Sequence, residues 1–269
     1  MAHPGRLFAG HLVETLLGHG GGAAVYRARR ADGSVIALKV LDAEHREDIS
    51  VGRLAREYRI TSGLRHQHIV QVHDLGPYWM TMQYVDGGDA TALQSLDTKL
   101  ESLGQIADAL DHAHRGGVVH TDVKPANILV HRDFSRDGAV LIDFGVAHVL
   151  AEDVWHRPAE VVASLPYAAP ELLQGRLPQA ATDEYALACT ALELLTGFPP
   201  FTAQNRMALV DAHLHLPPPE TSREVRWLSR SFDLVLARAI AKDPDRRYPS
   251  CTELVHHIAE TVRRSAQNT

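Results

Sequence analysis

Two short stretches hold side chains whose types and spacing can do chemistry: His120-Thr121-Asp122-Val123-Lys124-Pro125-Ala126-Asn127 and, further on, Asp143-Phe144-Gly145. In the first, an aspartate, a lysine two residues later and an asparagine three beyond that cannot all face one way on a regular helix. A loop containing a proline can make them converge. Two carboxylates and an amide oxygen directed at one point suit a hard cation such as magnesium, which prefers oxygen ligands and usually arrives on a phosphate. The lysine then supplies charge for that phosphate. The chemistry implied is phosphoryl transfer, with Asp122 taking the acceptor's proton, Asn127 and Asp143 holding metal, and Lys124 offsetting charge on the moving group.

Such a loop needs rigid elements to position it. Leu100, Leu103, Ala107, Leu110 and His114 recur at helical spacing and stop at Gly116-Gly117, so a long helix delivers the chain into the reactive loop. Residues 139–142 read as a short apolar strand that presents Asp143 at its end. The stretch 181–196 is apolar around nearly its whole circumference and predicts a central buried helix. Asp183 near its start must therefore be paired, either capping backbone N–H groups or bracing the reactive loop. Further helices are expected near 231–241 and 250–264, separated by Pro244.

Towards the N-terminus, residues 12–41 show β-branched and apolar runs broken by a glycine cluster and by Asp32-Gly33, a pair that tolerates the positive φ of two-residue hairpin turns. Three antiparallel strands follow, with Lys39 on the third. The cluster Gly18-His19-Gly20-Gly21-Gly22-Ala23 could suit a dinucleotide turn, but a strand and a hairpin follow it instead of a helix. It reads as a phosphate-covering hairpin and a mobile lid. A helix over 50–64 places Glu57 beside Tyr58, where it can turn towards Lys39 or face solvent. Two more strands meet at Gly76-Pro77 and complete a sheet of five. The turn-forming run Gln83-Tyr84-Val85-Asp86-Gly87-Gly88 marks a boundary between lobes covering 1–86 and 87–269.

The 269 residues and 45% hydrophobic content support a sizeable core, while a formal net charge of -6 gives no overall attraction for nucleic acid or anionic membranes. Two cysteines, Cys189 and Cys251, fall within helical patterns and read as buried thiols of a reducing compartment. Neither a signal peptide nor a membrane-spanning apolar run is visible, so a cytoplasmic location is expected. The 17 histidines form several close pairs but lack the helical spacing with a third ligand that zinc sites usually show.

Taken together, the ordered motifs GHGGGAAV, IALK, REYR, HTDVKPAN, DFG, PYAAPE, TDEYALA, TGFPPF and DRRYP resemble the eukaryotic-like serine/threonine protein kinases, bacterial members in particular, over nearly the whole chain. The resemblance implies an α+β, bilobal fold: an N-lobe of five antiparallel strands and one helix, and a mainly helical C-lobe. It implies ATP in the cleft with magnesium, manganese being an admissible substitute. Lys39 would contact the α- and β-phosphates and pair with Glu57, Lys124 would contact the γ-phosphate, and Asn127 and Asp143 would coordinate metal. Further nucleotide contacts are implied for Gly18, Gly20, Val25 and Ala37, for Met82 at the gatekeeper position, and for Gln83 and Val85 at the hinge. Glu171 would pair with Arg247, and Asp183 would hold the reactive loop. The implied partner is a protein with a serine or threonine acceptor; a homodimer is allowed for.

Three departures from the family pattern carry information. Thr121 stands where many kinases have an arginine that receives a phosphorylated activation-loop residue. Residues 146–163 contain no serine, threonine or tyrosine. Glu160 lies near the usual phosphosite and reads as solvated. Ala163-Ser164 replaces the usual Gly-Thr, and Ser164 keeps a hydroxyl able to bond Asp122 and Lys124. The expectation is an active serine/threonine kinase that needs no activation-loop phosphorylation. Two readings compete with it. Gly22, Ala23, Thr121 and Ala163 are the features a nucleotide-binding or scaffolding pseudokinase would share, and a small-molecule phosphotransferase would share the lysine and aspartates but typically lacks PYAAPE and TGFPPF.

Overall fold

The apolar runs of the first third pair as an antiparallel sheet, in a computed structural model that describes residues 2–150 and 164–267. Its strands are β1 (Leu7–Phe8), β2 (His11–Gly20), β3 (Ala23–Arg29) and β4 (Val35–Leu41), followed after helix α1 (Asp48–Gly63) by β5 (Val72–Gly76) and β6 (Trp79–Gln83). The order across the sheet is β1-β2-β3-β4-β6-β5. The sheet thus has six strands where five were expected. The addition, β1, is only two residues long and pairs with the start of β2. A strand that short has no alternation to read.

The period of two decides what each face of β4 does. Ile36, Leu38 and Val40 enter a small core with Val13 and Ala28. Leu41, on the opposite face with Lys39, packs with Leu54 of α1 and Met80 of β6. The sheet therefore buries aliphatic side chains on one side and turns Lys39 to the side that carries the helix. Asp32-Gly33 does turn β3 into β4, but through a loop longer than two residues in which Gly33 alone has positive φ (+87°) and Arg30 N–H donates to Ser34 O at 2.9 Å; β3 and β4 pair without a break from Arg29 opposite Val35 to Ala23 opposite Leu41.

The rest of the chain is mainly helical: α2 (Leu96–Arg115), β7 (Val118–Val119), β8 (Ile128–Val130), α3 (Phe134–Asp137), β9 (Ala139–Leu141), β10 (His148–Val149), α4 (Pro170–Leu173), α5 (Ala180–Thr196), α6 (Arg206–His215), α7 (Arg230–Ala239) and α8 (Cys251–Gln267). As its composition demands, α5 is buried from Thr182 to Leu195 at every residue except Glu193. It packs in one core with Leu103, Ile106 and Leu110 of α2, Phe232 and Leu236 of α7, and Leu254 and Ile258 of α8. Helix α6 escapes sequence reading because its apolar positions form no clean stripe; Met207 is exposed while His213 is buried. Cys189 and Cys251 are buried free thiols. Among the described residues no helix is long and apolar enough to cross a membrane.

The sheet-bearing part meets the helical part through backbone. Val70 N–H donates to Leu141 O at 3.0 Å, and Leu141 N–H donates to His68 O at 2.8 Å. Strand β9 pairs with β8, and Ile142 N–H donates to Asn127 O at 2.9 Å, so the strand end before Asp143 is tied directly to the reactive loop.

Candidate active site

The reactive loop is built on Asp183. This fully buried carboxylate accepts the backbone N–H groups of His120 and Thr121, each at 2.8 Å, and approaches His114 Nε2 at 2.7 Å. Of the two roles open to Asp183, the structure selects bracing, because the N-terminus of α5 is capped instead by reciprocal bonds of Gln179 and Thr182. Burial pulls the His114 pKa down, but the hydrogen bond and the charges of Asp183, Asp111 and Glu184 outweigh it and leave it raised. Protonation of His114 is thereby favoured beside the buried carboxylate. Thr121 has φ +69°, in the left-handed region that β-branched residues rarely enter, and its position is over-determined by these bonds.

Downstream, a 3-10 turn over Pro125–Asn127 folds the loop back on itself. Asn127 Nδ2 donates to Asp122 O at 2.8 Å and to Asp122 Oδ2 at 2.9 Å. The amide nitrogen is thereby occupied, and the amide oxygen remains as a donor for a hard cation. Lys124 Nζ donates to Asp122 Oδ2 at 2.7 Å and to Ser164 Oγ at 2.8 Å. The expected link from Ser164 to Lys124 is present, and Asp122 joins it through the lysine. Glu160 and Ala163, on which two expectations fall, lie outside the described residues.

Across the cleft, Lys39 Nζ donates to both carboxylate oxygens of Glu57, at 2.8 and 2.7 Å, and lies 3.7 Å from Asp143 Oδ1. Neither residue is the solvated surface group that local spacing also allowed. Lys39 holds the Asp143 carboxyl below its ordinary pKa, so it stays ionised as a metal ligand must. Asp143 also has positive φ, +65°, while Phe144 is fully buried with its ring edge-to-face against His120 at 4.7 Å. Gly145 admits this close approach: a Cβ there would stand 3.0 Å from Asp143 Oδ1 and 3.2 Å from Glu57 Oε2.

Lys39, Glu57, Asp122, Lys124 and Asp143 line one cleft of about 260 Å³, roofed by Gly20, Gly21 and Ala23 and edged by Arg53 and Val146. The other expected nucleotide residues stand further along the sheet. Val25 is paired with Lys39, Ala37 with Met82 and Ile36 with Gln83, while Gly18 faces Val25 from β2. Val85 is buried against Val70 and Val140. The lid is a hairpin turning at Gly21 and Gly22, with φ +61° and +78°. Its tip is fastened: Asp42 N–H donates to Gly22 O at 2.9 Å, and a Cβ on Gly22 would stand 2.7 Å from the His45 ring.

One further predicted contact forms. Arg247 donates to both oxygens of Glu171, at 2.8 and 2.9 Å, with both side chains buried. Among the described residues one group has metal-ligand types close together, Asp111, His114 and Cys251. Asp111 there caps α8, accepting the N–H groups of Cys251 at 2.9 Å and Thr252 at 3.0 Å, so its carboxylate already has a structural role. Sequence reading passed over Asp111 and Arg56 and saw His114 only as part of a helical stripe, since each acts across long chain separations with no local signal. Arg56 Nη1 donates to Ala147 O at 2.6 Å, ninety-one positions away in sequence.

Comparison with known proteins agrees with this geometry. A family model described as a protein kinase domain matches residues 12–258. Serine/threonine-protein kinase PknJ of Mycobacterium tuberculosis is 42% identical over 97% of this chain and 47% of its own length. PknF of the same organism is 38% identical over 96% of this chain and 57% of its own. The chain thus spans about half the length of the curated relatives it matches. A crystal structure of a mutant PknI kinase domain from Mycobacterium tuberculosis superposes with a TM-score of 0.72 at 33% identity, covering 97% of this chain and 99% of that one. The chain belongs to the protein kinase family.

Proposed function

We propose that the chain is an ATP- and magnesium-dependent serine/threonine protein kinase domain acting in the cytoplasm, with its lobes meeting between Asp86 and Gly87. One observation carries this reading: the Lys39–Glu57 pair, Asp143, Asp122 and Lys124 line one cleft from separate elements, with Asn127 bonded to Asp122. Lys39 holds the Asp143 carboxyl below its ordinary pKa, and Asp122, Lys124 and Asn127 are joined by hydrogen bonds. The boundary assignment is supported by Gly87 N–H donating to Val130 O at 2.9 Å.

In the proposed step a serine or threonine hydroxyl approaches Asp122. One carboxylate oxygen, Oδ2, is engaged by Lys124 and Asn127, which leaves Oδ1 to take the hydroxyl proton. As the acceptor oxygen bonds to the γ-phosphorus, the bond to the ADP oxygen breaks, and the departing charge stays on ADP. Lys124 faces the moving phosphoryl group, and Lys39, oriented by Glu57, steadies the phosphates that remain. Magnesium, when bound, supplies charge to the phosphate oxygens; the oxygens of Asn127 and Asp143 fit that hard cation. Ser164 on Lys124 narrows the acceptor to a short hydroxyl side chain. The lack of a charged side chain at Thr121 and of any hydroxyl in residues 146–163 supports activity without activation-loop phosphorylation.

Transfer of labelled phosphate from ATP to a generic basic protein tests this. Wild type should exceed Asp122→Asn by two orders of magnitude or more, about the worth of general-base catalysis. Equal transfer by the two proteins across substrates and metals overturns the kinase reading.

A further inference from the structure

The two residues that follow Asp143-Phe144-Gly145 are each gripped by a side chain from a different element. Thr121 Oγ1 donates to Val146 O at 2.9 Å, and Arg56 Nη1 donates to Ala147 O at 2.6 Å. Both donors are sequence neighbours of groups in the cleft: Thr121 precedes Asp122, and Arg56 precedes Glu57. Just beyond, β10 pairs with β7, so that His148 lies opposite Val119. The chain leaving Asp143 is therefore bonded at successive residues to the reactive loop, to α1 and to the strand that leads into the loop.

We infer that Thr121 and Arg56 are positioning residues forming a two-point latch that fixes Asp143 relative to Asp122 and Glu57. The latch rests on the kinase reading above and deepens it, because it supplies the order that a phosphorylated side chain would otherwise impose. Both acceptors are backbone carbonyls, present in every state of the chain, so no modification is needed to create them. The threonine hydroxyl suits a carbonyl where it could not neutralise a phosphate. Thr121 is held in its unusual backbone conformation by the bond from its N–H to Asp183, which fixes where the hydroxyl can act. Arg56 extends the constraint to α1: when α1 places Glu57 on Lys39, the same turn of helix holds Ala147.

The test compares initial rates of Thr121→Val, Thr121→Ser, Arg56→Met and wild type, with magnesium titrated at fixed ATP. Valine keeps the β-branch and removes only the donor. The loss of one net hydrogen bond predicts a roughly 3- to 10-fold fall in kcat for Thr121→Val. A similar increase is expected in the magnesium concentration needed for half-maximal rate, because Asp143 is a proposed ligand. Serine should restore both to within about twofold of wild type, and Arg56→Met should reproduce the valine effect. A merely structural threonine would alter melting temperature but not magnesium dependence. The latch is overturned if Thr121→Val keeps wild-type kcat and magnesium dependence, or if serine fails to rescue a defective valine variant. Should wild type itself transfer no more phosphate than Asp122→Asn, the kinase reading fails separately. The latch is then judged by whether Thr121→Val weakens the magnesium-dependent part of the melting shift produced by ATP; an unchanged shift overturns it.

Discussion

Glu184 offers a quantitative test of how the central helix is held. It is 2% exposed on α5, next to Asp183, and its Oε2 is buried without a hydrogen-bond partner among the described residues. Burial raises its pKa from 4.5 to about 7, against the opposing effects of Arg247, His114 and the Tyr248 N–H. In the unfolded chain the carboxyl loses its proton near 4.5, whereas in the folded protein it keeps it until about 7. Between those values the folded state binds more protons, so stability is fully present below the window and drains away as pH rises through it. The gap is worth about 3 kcal/mol. Glu184→Gln is permanently neutral and escapes this loss. The variant should match wild type near pH 4.5 and melt higher by roughly 6–12 °C at pH 7.5. Melting curves of both proteins across that range supply the check. Their difference removes titrations common to both, such as that of His213, whose burial beside Lys242 pushes its pKa down to about 4. A difference that stays flat with pH, or a variant that loses ground as pH rises, would refute the reasoning.

Arg247→Leu should cost about 3–5 kcal/mol, since it strands the buried Glu171 carboxylate with Thr182 as its remaining side-chain donor. Glu171→Gln combined with Arg247→Leu should recover part of that loss in thermal or urea unfolding; no recovery would show that the stranded charge is not the cause. Gly22→Ala should destabilise the lid by about 1–2 kcal/mol through its positive φ and contact with His45, and should raise the KM for ATP while leaving kcat within a few-fold.

The parts of the fold legible in the sequence are those with short-range causes. Asp32-Gly33 needs only its own conformational freedom to make a hairpin, and the unbroken register of β3 and β4 follows from it. An apolar circumference suffices to predict that α5 is buried. Strand β1 and helix α6 went unread because neither has a period that distinguishes it from loop. Local spacing left Lys39 and Glu57 undecided between solvent and cleft; only the packing of α1 against the sheet brings the two to 2.7 Å. Their identification came instead from the order of motifs along the whole chain.

The sequence alone determined which chemical groups this protein can use: two aspartates, an asparagine and a lysine in loops that no regular helix could satisfy, a second lysine on a strand, and a segment without hydroxyls where a switch would otherwise stand. Composition and local conformation are properties of neighbouring residues, so they can be read along the chain. Tertiary structure decided what those groups face. Asp183 reaches back to His120 and Thr121, Arg56 reaches forward to Ala147, and Glu184 loses its water inside α5. Each is a contact or a burial between residues distant in sequence, and the desolvation that makes it matter exists only once the chain has closed around it.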